Sequence, residues 1–309
     1  MGKIAFLFPG QGSQNVGMGS SIAHVSEAAA RTMQEADAVS GKPITTICYE
    51  GPRDVQAQTA NSQPIIFTVD CACLAALREK GVQPDMVAGH SLGEYAALVA
   101  ADVLDFAQAL RLVVRRAELM QIAGTRYPGK MLAVVGLEVE QVRDIVDSLK
   151  DQGRLQAANY NCPGQIAVSG DAAVIDKAAP IFEQAGARVV ELAVSGAFHS
   201  PLMAEAAEEF AGILDAIEFR NAKMPVVSNF TGKAATDAQT IRAALREQIT
   251  GSVLWQQTVE EMIRQGVDTF VEVGPGRVLR GLVKKTAPKA NILNVEDAKS
   301  LEATLNALG

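Results

Sequence analysis

The chain has few histidines and cysteines, no long apolar run and no excess of positive charge. Each shortage narrows what it can be. Only three of 309 residues are histidine, at positions 24, 90 and 199, so chemistry that needs an imidazole has three candidates. Four cysteines, Cys48, Cys71, Cys73 and Cys162, read as reduced thiols in a cytoplasmic protein. Cys71 and Cys73 stand two apart on an expected helix, point different ways and cannot share a metal. No metal site and no cofactor are expected. No stretch approaches the run of about 20 apolar residues that spans a membrane, and Ile4–Phe8 is too short for a signal peptide. Phe6 stands where the myristoylation pattern after Gly2 wants Ser or Thr. The formal net charge of −7 argues against nucleic acid or an anionic membrane as the main partner.

What is present reads as a soluble α/β protein of one large or two smaller domains. Three short β-type runs, Ile4–Phe8, Met86–Ala88 and Thr269–Val273, each lead into a glycine turn and a helical pattern. Short buried runs alternating with helices predict a parallel sheet, with ligands gathered beyond the carboxyl ends of its strands. The middle of the chain differs. Met131–Leu137, Glu140–Leu149, Gln156–Asn159, Gln165–Ser169, Ala173–Ala185 and Arg188–Val194 read as β-α-β-β-α-β, the order of a ferredoxin-like unit. Pro128-Gly129 and Ser195-Gly196 bound it. The expectation is a small domain over 126–196, inserted into a larger α/β domain made of 1–125 and 197–309.

Gly89-His90-Ser91-Leu92-Gly93-Glu94 lies between a strand and a helix, the setting in which Gly-x-Ser-x-Gly forms a nucleophile elbow. Glycines at 89 and 93 let strand and helix approach closely. Ser91 is then exposed at the positive end of the helix, where an oxyanion would be stabilised. The competing reading is a plain capping box, Ser91-x-x-Glu94, with no chemistry.

A serine needs a neighbouring base. His90 points elsewhere in a strained turn, and His24 sits in an amphipathic helix as a solvated or core-edge residue. His199 remains, just before Ser200 and Pro201, which read as N-cap and first residue of a helix to about Ala216. The helix terminus should keep its imidazole neutral and fit to act as base. No acid between Ser91 and His199 stands at a strand end to orient the ring, and a backbone carbonyl could do so. The oxyanion donors expected for such an elbow are the backbone N–H of Leu92 and that of Gln11, in the turn after the first strand.

On the helix expected over 105–121, Phe106, Leu110, Val113, Ala117 and Met120 define the buried stripe. At about 100° per residue Arg115 faces away from it and Arg111 nearly so. Arg116 lies at its edge, where the guanidinium could turn into a cleft and hold a substrate carboxylate. A snorkelling or salt-bridged arginine is the alternative.

With these residues in place, the chain resembles the malonyl-CoA:acyl-carrier-protein transacylases of bacterial fatty-acid synthesis over nearly its whole length. The resemblance rests on Phe8-Pro9-Gly10-Gln11-Gly12-Ser13-Gln14, the elbow, Arg116, Gly196-Ala197-Phe198-His199-Ser200 and Val273-Gly274-Pro275-Gly276. It implies an α/β-hydrolase-like core with a ferredoxin-like insertion. It also implies Ser91 as nucleophile, His199 as base, Arg116 as clamp for the malonyl carboxylate, Gln11 and Leu92 at the oxyanion, and Gln63 and Asn159 lining the pocket. The family's histidine-orienting carbonyl falls on Gln248, although Gly251-Ser252 departs from the Asn-Pro or Ser-Pro usual nearby. The implied reaction is ping-pong, from malonyl-CoA through a malonyl-serine to the phosphopantetheine thiol of an acyl carrier protein. The sequence carries no signal of oligomeric state, and a monomer is the expectation. Arg277, Arg280, Lys284 and Lys285 are candidates for contact with carrier or coenzyme A, or form a solvated helix face. A polyketide carrier as acceptor, and a serine thioesterase or hydrolase of the same elbow type, are the other functions open at this point.

Overall fold

The computed structural model describes residues 2–309. Among them ten strands form two sheets. In chain order they are β1 (Lys3–Phe8), β2 (Met86–Gly89), β3 (Gly129–Val135), β4 (Leu155–Cys162) and β5 (Gln165–Asp171). Then come β6 (Arg188–Glu191), β7 (Val226–Val227), β8 (Ala234–Ala235), β9 (Val267–Val273) and β10 (Asn291–Val295).

The larger sheet has the order β10-β9-β1-β2-β7-β8. Its neighbours run parallel except β7 and β8. Both faces are covered, and the period-2 alternation of β1 shows how. Phe6 and Phe8 pack with Ile65, Phe67 and Val69 on one side. Ala5 and Leu7 pack with Trp255, Val259 and Val283 on the other.

The helix Thr59–Glu79 corrects one expectation from the sequence. It is 21 residues long, and an 18-residue window of it reaches a mean hydropathy of 1.2, enough in length and composition to cross a membrane. Of that window 83 % is buried inside the protein, so its apolar surface is already used by the core. Pro64 falls within it and cannot donate to Ala60 four residues back; Lys42 Nζ donates to that carbonyl at 3.3 Å instead.

The smaller sheet has the order β4-β5-β3-β6, antiparallel throughout. Leu132, Val134, Ile166 and Val168 pack under the helices Val139–Ser148 and Ala172–Gln184. The alternate residues Met131 and Ala167 point the other way, into a cleft shared with the larger sheet. All four cysteines are buried and unpaired.

Candidate active site

The elbow is set by where β1 and β2 end. Leu7 lies opposite Ala88 and Phe8 opposite Gly89, so the loops after both strands leave the sheet side by side. His90 N–H donates to Phe8 O at 2.9 Å. A Cβ at Gly89 would sit 1.9 Å from the Gly93 carbonyl, and one at Gly93 2.0 Å from Phe8 O. Only glycines allow the helix Gly93–Ala100 to start against the end of β1. Ser91 is held at φ 52°, a left-handed conformation costing a non-glycine residue on the order of 1–3 kcal/mol. Asn229 holds it there: its Oδ1 accepts from Ser91 N–H at 2.6 Å, and its Nδ2 donates to Gly89 O at 2.6 Å. The capping box does not form, since no side chain caps this helix. The Ser91 hydroxyl faces His199 Nε2 at 2.7 Å and accepts from Arg116 Nη2 at 3.1 Å.

His199 is 3 % exposed and also has a positive φ, 55°. Its Nδ1 lies 2.9 Å from Gln248 O and 3.2 Å from Gly251 O. Both are acceptors, so Nδ1 carries the proton and Nε2 is left to accept from the serine. Burial and then the Arg116 charge pull the imidazole pKa down to about 3, keeping the ring neutral. No carboxylate bonds it; carbonyls do that work. Gln156 Nε2 donates to both His199 O and Thr250 O at 2.9 Å, tying the two loops together. Ser200 caps the following turn through Leu202 N–H at 3.3 Å. The helix expected over 200–216 starts as a 3₁₀ turn, Pro201–Met203, and becomes α-helical only over Ala204–Asp215.

Arg116 comes from the helix Phe106–Arg126, which runs five residues past the end its apolar stripe predicted and is opened by an Asp105–Gln108 capping box. Arg115 is exposed and paired with Glu118 and Glu209. Arg116 is 1 % exposed. Its Nη1 donates to Gln63 Oε1 at 2.7 Å and its Nη2 to Gln248 Oε1 at 3.0 Å. The guanidinium lies 5.5 Å from the centre of the Tyr95 ring. Its Nε is buried without a hydrogen-bond partner, a spare donor facing low-dielectric surroundings.

These groups share a cavity of about 230 Å³ with Gln11, Leu92 and Asn159. The N–H groups of Gln11 and Leu92 have no acceptor among the described residues. Met131, Ala167 and Phe198 form an apolar wall, and Val278, Leu279 and Leu282 line another part. His90 lines the cavity too, its Nε2 2.9 Å from Asn161 Oδ1, whereas His24 is exposed on its helix. Arg277, Arg280, Lys284 and Lys285 stay outside. Arg277 pairs with Glu296 at 2.8 Å, and Lys285 Nζ donates to Gln165 Oε1 at 3.1 Å.

Asn229, Glu94, Gln156 and Asn161 were missed as contributors. Asn229 follows a strand of two residues, too short for periodicity to reveal. The Ser91-x-x-Glu94 spacing marks Glu94 only as a cap. For Asn161 a signal was available: two residues from Asn159 on β4, it shares that residue's face.

The acyl transferase domain family matches residues 5–303 of the chain. The malonyl CoA-acyl carrier protein transacylase of Bacillus subtilis (strain 168) is 41 % identical over 310 aligned positions, covering 100 % of this chain and 98 % of that protein. The crystal structure of malonyl CoA-acyl carrier protein transacylase from Clostridium perfringens superposes with a TM-score of 0.95 at 37 % identity, covering 99 % of this chain and 97 % of that one. A malonyl-transacylase solved in complex with a type II PKS acyl-carrier protein gives 0.95 and 37 %, with 99 % of each chain covered. With a serine, a carbonyl-held histidine and a buried arginine converging on one cavity, the chain belongs to the acyl transferase family, among the malonyl-CoA:acyl-carrier-protein transacylases.

Proposed function

We propose that this chain transfers malonyl from coenzyme A to the phosphopantetheine thiol of an acyl carrier protein through a malonyl ester on Ser91. The observation that carries the reading is the Arg116 guanidinium 3.1 Å from Ser91 Oγ in a buried site. In a malonyl-serine only the acyl carbon and one methylene separate Oγ from the free carboxylate. A cation beside the nucleophile therefore suits a short dicarboxylic acyl group. A plain hydrolase would leave that buried charge without a purpose.

In the first half-reaction His199 Nε2 takes the Ser91 proton as Oγ attacks the thioester carbonyl. The tetrahedral oxyanion is met by the N–H groups of Gln11 and Leu92. The C–S bond then breaks and His199 returns the proton to the departing thiolate. In the second half the carrier thiol gives its proton to His199, attacks the ester, and Ser91 leaves as the hydroxyl. Arg116 holds the malonyl carboxylate throughout, with Gln63 and Asn159 lining its seat, and Gln248 O keeps the imidazole in the accepting tautomer. Intact mass after brief incubation with malonyl-CoA tests the reading. The adduct should appear on the protein and be discharged by carrier protein; release to water without transfer would replace this reading with a hydrolase.

Because the His199 pKa lies near 3, its acid limb should be far below neutrality. With acetyl-CoA as donor, the acylation rate should stay flat within about twofold from pH 5 to 8. A rate halving near pH 6.5 would show an ordinary histidine in that role.

We also read 1–125 with 197–309 as an α/β-hydrolase-like core and 126–196 as a ferredoxin-like insertion. The order β4-β5-β3-β6 and the β-α-β-β-α-β sequence support the second part. The helix Val278–Thr286 has Leu279 and Leu282 on the cavity and Arg280 and Lys284 exposed, which favours it as a landing for an acidic carrier. Lys284→Glu with Lys285→Glu should raise KM for carrier protein about tenfold at low salt while malonyl-enzyme formation is kept. An unchanged KM would return these lysines to an ordinary solvated face.

A further inference from the structure

Glu94 is 2 % exposed and reaches back beneath the site from the first turn of the elbow helix. Its Oε2 accepts from Gln248 Nε2 at 2.6 Å and from Asn229 N–H at 3.3 Å. The same Gln248 amide donates to Ser91 O at 2.9 Å, and its Oε1 accepts from Arg116 Nη2 at 3.0 Å. One amide thus joins a buried acid to a buried cation. The groups packed on Glu94 from other segments, Gln248 and Asn229, are neutral. Tyr95 on its own helix is held neutral by burial, and Arg116 is the charged group that acts on it.

We propose that Glu94 is the buried counter-charge of Arg116 and sets how strongly the site prefers a carboxylated acyl group over an uncharged one. The inference rests on the acyl-transfer reading above. Before substrate enters, the guanidinium is balanced through the Gln248 amide by Glu94. A malonyl carboxylate brings a second negative charge to the same cation. An ionised Glu94 repels it; a protonated Glu94 does not. Burial pushes the Glu94 carboxyl up to about 7, so this charge changes in the neutral range. Malonyl binding then goes with proton uptake at Glu94, and acetyl binding does not. By linkage the preference for malonyl is strongest below pH 7 and weakens above it, by at most about tenfold per pH unit for a single proton.

The test is the ratio of kcat/KM for malonyl-CoA to that for acetyl-CoA, measured from pH 6 to 8. Titration of coenzyme A itself cancels in the ratio. In the unaltered protein the ratio should fall about fivefold over this range, within the single-proton limit. Glu94→Gln keeps an oxygen that can accept from both Gln248 and Asn229 but removes the charge. Its ratio should be flat and at least as high as the low-pH value of the parent. Glu94→Asp withdraws the carboxylate by one methylene and should shift the midpoint of the fall. A residue that only supports the fold would change both donors alike at every pH. A flat ratio in the unaltered protein, or an unchanged slope in Glu94→Gln, overturns the proposal. If Glu94→Gln does not fold, an unchanged midpoint in Glu94→Asp overturns it. Failure of the underlying reading looks different: no acyl-enzyme would form with either donor at any pH, or the acyl group would pass to water and not to carrier protein.

Discussion

Ser91→Ala should abolish the malonyl adduct and lower transfer to carrier protein on the order of 10⁵- to 10⁶-fold, the scale seen when a nucleophile acting with its base is removed. The loss should be chemical rather than structural. The backbone of residue 91 is held by Asn229 at 2.6 Å on both its own N–H and the Gly89 carbonyl, contacts that an alanine keeps. Arg116 loses one acceptor at 3.1 Å but retains Gln63 and Gln248. His199 keeps its two carbonyls. The melting temperature should therefore stay within a few degrees of the parent, and malonyl-CoA should still bind. A Ser91→Ala protein that still gained the malonyl mass would place the nucleophile elsewhere, and one that lost its melting transition would make the test uninformative about chemistry.

Arg116→Ala should cut kcat/KM for malonyl-CoA roughly 10²- to 10³-fold and that for acetyl-CoA less than about tenfold. The asymmetry follows from what each donor carries. Losing the partner of a desolvated carboxylate costs on the order of 2–5 kcal/mol, and acetyl has no carboxylate to lose. Lysine should not rescue. The guanidinium serves Gln63, Ser91 and Gln248 at once and still has Nε spare. An ammonium on a flexible stem cannot reproduce that planar set of donors. Some stability should go too, about 1–3 kcal/mol for each acceptor left dry, read as a lower melting temperature. Equal losses for both donors would remove Arg116 from carboxylate recognition and leave it as a structural arginine.

Local rules made a large part of this molecule legible. The alternation of Ala5, Phe6, Leu7 and Phe8 makes a strand buried on both faces, and the glycines at 89 and 93 permit one kind of tight strand-to-helix turn. The 3.6-residue stripe on Phe106–Arg126 separated Arg116 from Arg115 and Arg111, because helical geometry alone decides which arginine lies beside the core. The absence of an acid near His199 was also readable, since no candidate stood in the right place. Elsewhere the same rules fell short. Thr59–Glu79 is long and apolar enough to cross a bilayer, and only its burial against the parallel sheet shows where that surface goes. The Ser91-x-x-Glu94 spacing is as good for a cap as for an elbow until the positions of distant groups are known.

The sequence by itself determined the strands and helices that carry the serine and the arginine, the turn that presents the serine, which histidine and arginine were available, and that no acid stood ready to orient the ring. Those properties depend on neighbours within a turn of helix or a step of strand. Only the tertiary structure decided what each group touches. Gln248 is 157 residues from Ser91 and 132 from Arg116, Asn229 is 138 from Ser91, and no local pattern records such separations. Their roles arise because strand ends and loops from remote parts of the chain meet in one cavity. There an acid becomes a counter-charge and a glutamine joins it to the cation.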